Sequence, residues 1–209
     1  LGDVSNKVEE KIKKLKGEIA FPCQISINEV AAHYCPDFND MTVIKKGDLV
    51  KLDLGVHVKG KIADTACSID VGGDKNLELI KASKDALKEA TDLIRPGVKL
   101  NEIGKAVEEV IVGQGFNPIR NLSGHEVSDY ELHAGLTVPN YDDGDETELK
   151  ENQVFAVEPF ATTGDGYIKD SKNSGIYKLL MPKNVRSGRD ILNYVMKEYK
   201  SLPFARKWL

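Results

Sequence analysis

Three features of the 209-residue chain predict an α+β fold. Amphipathic helical stretches and strand pairs fall in blocks rather than in strict βαβ alternation. One strand pair is joined by a turn so short that the strands must run antiparallel. Segments far apart in the chain also repeat one apolar pattern, the mark of two half-domains related by a pseudo-twofold around a mostly antiparallel sheet.

In the first helix Val4, Val8, Ile12 and Leu15 share a face, and Gly17 supplies a stop. The segments Leu49–Val58 and Ile62–Ile69 flank Lys59-Gly60-Lys61 and form a β-hairpin. With Lys59 and Gly60 as the turn, residue 53 faces 66 and residue 55 faces 64. A second helix is expected over 76–94, with Ile80, Leu87, Ala90 and Ile94 inward and Pro96-Gly97 closing it. A third opens at an Asn101 cap and carries Ile103, Val107 and Ile111 towards Gly115. Val154–Glu158 is a short apolar strand, and a last helix fits 190–200 before Pro203. In the repeat, Leu1–Glu10 aligns with Leu100–Glu109, and Ile44–Asp53 with Leu149–Glu158. Each member of the second pair ends in a carboxylate. Two unrelated helix–strand units are the plain alternative.

Composition narrows the class. Hydrophobic residues at 41% and charged residues at 30% describe an ordinary globule, and a chain this long needs no metal or disulfide merely to fold. A net charge of −4 argues against a dedicated nucleic-acid or anionic-membrane surface. Cys23, Cys35 and Cys67 are three and widely spaced, which suits a reducing compartment and a cytoplasmic protein. No apolar run reaches the length of a membrane span, and no basic-then-apolar leader opens the chain.

The chemistry begins in the hairpin. Asp53 and Asp64 come from its two arms as diagonal neighbours on one face, within reach of a shared ligand. Their neighbours Leu52, Leu54, Ile62 and Ala63 are apolar, which favours a metal over two solvent-facing acids paired with lysines. Cys67 should point to the opposite face, into the core. Among the histidines, His125 lies in Asn121-Leu-Ser-Gly-His125, His133 in Leu132-His-Ala-Gly135 and His33 in Ala31-Ala-His-Tyr34; His57, at the hairpin tip beside a lysine, is expected to be exposed. Histidines in small-residue settings, with carboxylates on apolar strands, point to a site. Asp, Asp, His and Glu make an oxygen-rich donor set that suits Mn, Fe, Co or Zn, and the lack of thiolates argues against structural zinc. Carboxylates can bridge two ions, although four ligands also fit one.

At these residues the chain resembles the type II methionine aminopeptidases in their archaeal form. The resemblance rests on Ala20-Phe-Pro22, Ile27–Tyr34, Lys51–Val58, Ile62–Ala66, Asn121–His125, Leu132–Gly135 and Ala156–Phe160, and it runs over essentially the whole chain. The spacing of eight residues between His125 and His133 is the most specific part. It implies the pita-bread (creatinase/aminopeptidase) fold, whose pseudo-twofold agrees with the repeat, and two divalent metal ions. Position by position, it implies that Asp53, Asp64, His125 and Glu158 are four of five metal ligands, with Asp64 bridging. His133 would contact the scissile carbonyl, and His33 the peptide backbone at the substrate mouth. Phe21 and Leu132 would line the pocket for the methionine side chain. Glu158 would also shuttle a proton to the departing amine.

The implied activity is removal of the initiator methionine from nascent polypeptides by metal-activated water, in a monomer with the ribosome as an associated partner. Residues 1–209 are then one catalytic domain incomplete at both ends, with 187–209 starting the type II helical insertion. The fifth ligand, a glutamate, belongs to a strand after that insertion. A chain without it is expected to bind metal weakly and to gain activity once the strand is present. The alternatives are an Xaa-Pro peptidase of the same fold, against which the His125 and His133 motifs speak, and an inert homologue that binds ribosomes or RNA, which would have lost ligands that are present here.

Overall fold

The computed structural model describes residues 1–181 and 187–209. In chain order the elements are α1 (Gly2–Lys14), β1 (Glu18–Ile27), β2 (Leu49–Val58), β3 (Lys61–Asp70), α2 (Leu77–Leu93) and α3 (Leu100–Gly113). There follow β4 (Asn117–Pro118), β5 (Gly124–Val127), β6 (Thr137–Val138), β7 (Val154–Ala156), β8 (Ala161–Thr162) and β9 (Ile176–Tyr177). The chain closes with α4 (Arg189–Glu198), β10 (Phe204–Ala205) and a 3-10 turn, Arg206–Trp208. Every strand pairing among the described residues is antiparallel, as the α+β class requires. The chain divides into two compact units, Leu1–Val71 with Asp129–Leu132 and Lys172–Leu209, and Gly72–Ser128 with His133–Ser171.

The first unit is built on the sheet β1-β2-β3. The hairpin register is the one its turn demands: Asp53 faces Ala66 and Gly55 faces Asp64. Cys23, Ile25 and Val50 form the core beside α1, with Val8 and Leu52 packed against them. The inward face of α1 differs from its apolar stripe. Val4 and Leu15 are exposed, whereas Ser5, Glu9 and Ile12 are buried. Glu9 replaces water with protein donors: its carboxylate accepts the Cys23 amide at 3.4 Å and the Trp208 indole N–H at 3.1 Å, and Lys207 stands 3.9 Å away. That polar set ties the last turn of the chain to α1. Burial and the nearby Glu9 push the Cys23 thiol up to about 12, so it stays protonated at neutral pH.

The second unit packs α2 and α3 through Ala86, Ala90, Ile103, Val107 and Ile111, with Val98, Val138 and Leu149 completing the core. Leu87 is half-turned away and exposed; small alanines at 82, 86 and 90 make the buried stripe instead. The N-cap of α3 is Lys99 rather than Asn101, because the Glu102 carboxylate reaches back to the Lys99 amide at 3.4 Å. In this unit β5 is the centre of a small sheet, β6-β5-β7. The repeated segments match in kind: α1 and α3 are both helices, and of the carboxylates the repeat aligned Asp53 lies within β2 and Glu158 just beyond β7.

Candidate metal centre

In the first unit the hairpin register places Asp53 and Asp64 diagonally on one face of the sheet, both half-buried. Opposite Asp53 on β1 stands the buried Gln24, whose carboxamide oxygen accepts the His33 backbone N–H at 2.9 Å. His33 holds φ at 65°, a conformation rare outside glycine and asparagine, so Gln24 fixes where this exposed imidazole stands. Sequence reasoning passed over Gln24; its period-2 alignment with Asp53 across β1 and β2 was the available signal.

Beside the aspartates lies an apolar cluster of Ala20, Phe21 and Leu132, with Ile62 against it. Phe21 can lie there because Gly55 faces it, and a Cβ on Gly55 would come within 2.3 Å of the phenyl ring. The glycine in Asp53-Leu-Gly-Val56 therefore serves the packing of this apolar cluster.

His57 departs from its expected exposure. It is 5% exposed, its Nδ1 accepts the Gly60 N–H at 3.3 Å, and its ring stands T-shaped to Tyr130 with the centroids 5.4 Å apart. Burial holds its pKa below the usual imidazole value, Glu18 opposes that shift and Lys200 adds to it. Cys67 also departs: it is exposed, because the odd-numbered side chains of β3 face outward.

In the second unit Gly124 brings β5 and β7 together, since a Cβ there would stand 2.3 Å from the Ala156 carbonyl oxygen. That approach sets His125 opposite Ala156 and puts its Nε2 3.1 Å from Glu158 Oε1. Strand β7 ends at Ala156, so Glu158 leaves from the chain just beyond it rather than from the expected strand. The His133 ring meets His125 edge to face at 4.3 Å. His133 itself is exposed, and the Glu126 carbonyl accepts the Ala134 N–H and secures the loop.

This chemistry suits a hard or borderline divalent cation. An imidazole and a carboxylate point ligand atoms at one spot, and two donors about 2.1 Å from one ion stand about 3.0–3.4 Å apart. The observed 3.1 Å between His125 and Glu158 lies in that range. Within the first unit, the hairpin carries two carboxylates of the same donor type on a single face.

The profile of metallopeptidase family M24 matches residues 2–192. The chain belongs to this family. Its M24 relatives include a methionine aminopeptidase of Thermococcus onnurineus, 50% identical over 100% of this chain and 72% of that protein. A solved methionine aminopeptidase from Thermotoga maritima is 32% identical, with a TM-score of 0.73 over 78% of this chain and 69% of its own. A thermophilic Arx1 structure shares the fold at 17% identity, with a TM-score of 0.76 over 98% of this chain and 67% of its own. The M24 chain is a metal-dependent hydrolase of pita-bread fold, and its imidazole–carboxylate pair is compatible with a divalent ion.

Proposed function

We propose that this protein removes the N-terminal methionine from nascent polypeptides. The observation that carries this reading is the match at 50% identity, over 100% of this chain and 72% of the relative, to a protein named methionine aminopeptidase. In this account Asp53, Asp64, His125 and Glu158 would hold two divalent ions. When bound, the ions supply a water acidic enough to ionise near neutral pH and a Lewis acid for the carbonyl.

The chain's own residues do the rest. Glu158 accepts a proton from the attacking water and passes it to the departing amine. His133 donates a hydrogen bond to the scissile carbonyl oxygen, favouring the developing negative charge. His33, held by Gln24, contacts the peptide backbone at the mouth. Phe21 and Leu132, buried with Ala20, form the wall against which the methionine side chain packs. Because the ligands come from separate stretches of chain, residues 1–209 act as one catalytic domain, with 187–209 leading into an insertion.

We further place the enzyme in the cytoplasm as a monomer working near the ribosome. No helix of the described residues is long and apolar enough to cross a membrane. Competing hydrolysis of Met-Ala-Ser and Ala-Pro peptides, with the protein at its full encoded length, tests the reading. Release of free methionine with little cleavage of Ala-Pro is expected. Preference for Ala-Pro would assign the Xaa-Pro activity instead, and cleavage of neither peptide with Mn or Co present would favour an inert homologue.

A further inference from the structure

Four residues outside the ligand set hold an unusual position. Asp129–Leu132 pack with the first unit although the chain on either side of them belongs to the second. Each of the four is fastened. Lys61 pairs with Asp129 at 2.7 Å, and Lys178 pairs with Glu131. Leu132 is 5% exposed against Ala20, Phe21 and Ile62.

Tyr130 carries the most contacts. Its backbone N–H donates to the Gly60 carbonyl at 3.0 Å, and the Ser201 hydroxyl donates to its own carbonyl. The ring lies beside Gly60, where a Cβ would approach within 2.4 Å, and T-shaped to the ring of buried His57. The Lys200 ammonium caps the ring at 3.6 Å from its centroid. The backbone of Tyr130 sits at φ 57°, a conformation an aromatic residue rarely adopts without such surroundings. The turn it grips closes the hairpin that bears Asp53 and Asp64.

We propose that Tyr130 is a positioning residue for substrate selection. By fastening this segment to the hairpin turn, it holds Leu132 against Phe21 and so fixes the width of the apolar pocket. The ring itself does the work: Gly60 packs against it, the His57 ring stands T-shaped to it and Lys200 lies over the π-system. The phenol oxygen is not needed, so phenylalanine can replace tyrosine. The inference rests on Phe21 and Leu132 forming the methionine pocket.

The test uses the protein at its full encoded length in four forms: wild type, Tyr130→Ala, Tyr130→Phe and Gly60→Ala, the last pushing the ring off its seat while also straining the turn, where residue 60 holds φ at 91°. Two readouts are compared: kcat and KM on Met-Ala-Ser and Leu-Ala-Ser, and amide hydrogen exchange over residues 129–133. For Tyr130→Ala we expect KM on Met-Ala-Ser to rise about tenfold, the preference for Met over Leu to narrow, and kcat to change little. Gly60→Ala should move in the same direction and Tyr130→Phe should match wild type. Exchange should quicken at 129–133 in the two disruptive variants and not across β1–β3. Faster exchange there with unchanged KM and preference would overturn the proposal. So would an equal loss of kcat on both peptides with exchange raised throughout the sheet, the signature of general destabilisation. A wild type without preference for Met overturns the pocket reading and the selectivity claim together, and the exchange data then report separately whether the anchor exists.

Discussion

Gly55 and Gly124 show how much of the site depends on an absent methyl group. Neither acts in the chemistry, yet each lets a functional side chain reach its place. At Gly124 the obstructing atom would be backbone, the Ala156 carbonyl, so β5 and β7 cannot stay paired around a larger residue. Gly124→Ala is expected to cost about 1–3 kcal/mol, read from denaturant midpoints, and to weaken metal binding by moving His125 from Glu158. At Gly55 the obstruction is the buried Phe21 ring. Gly55→Ala is expected to cost about the same and to alter peptide preference while leaving metal affinity unchanged, since it strikes the pocket wall. If the two substitutions gave the same functional defect, the separate roles assigned to these glycines would be wrong. The ligand-type residues themselves were legible in sequence as carboxylates on apolar strands and histidines beside glycine. Gln24 was not, because its role depends on a neighbour in β2 and on the backbone of His33.

At the scale of the element, the hairpin was read correctly down to its register because Lys59-Gly60 fixes the turn and the turn fixes the pairing. What covers the hairpin was illegible. His57 looked exposed because its partner Tyr130 lies far along the chain, and Cys67 looked buried because nothing in sequence says that β3 is an edge with one face open. Helix α1 misled for a related reason. Its apolar stripe suggested one face, but Glu9 goes inward to meet donors supplied by Cys23 and by the last turn of the chain.

The hairpin also makes a pH prediction. His57 is held neutral because its Nδ1 accepts the Gly60 N–H and its ring is buried. The facing groups are Glu18, which favours the charged form, and Lys200, which disfavours it. Its folded pKa therefore lies below the unfolded value of about 6.5. Above that pH neither state binds the proton and stability is flat. Below it the unfolded chain takes up a proton the folded chain resists, so stability falls as pH drops. Denaturant midpoints between pH 8 and 5 should decline in wild type and decline less in His57→Gln. An equal decline in both would remove His57 from the explanation.

For the whole molecule, the repeat foretold two helix–strand assemblies, and the chain does form two compact units whose matching segments share their secondary structure. What the repeat could not foretell is that Asp129–Leu132 would join the first unit, since contacts with residues remote in the chain, Gly60, Lys61, Lys178 and Ser201 among them, put it there. The chain spans 72% of the length of its Thermococcus onnurineus relative. The central claim, as proposed above, is that Asp53, Asp64, His125 and Glu158 are metal ligands. Calorimetric titration of the metal-stripped protein, at full encoded length, with Mn tests it most directly. Wild type should bind saturably, and Asp64→Asn and His125→Ala should each weaken binding by about tenfold or more. Superimposable titration curves for all three proteins would contradict the account.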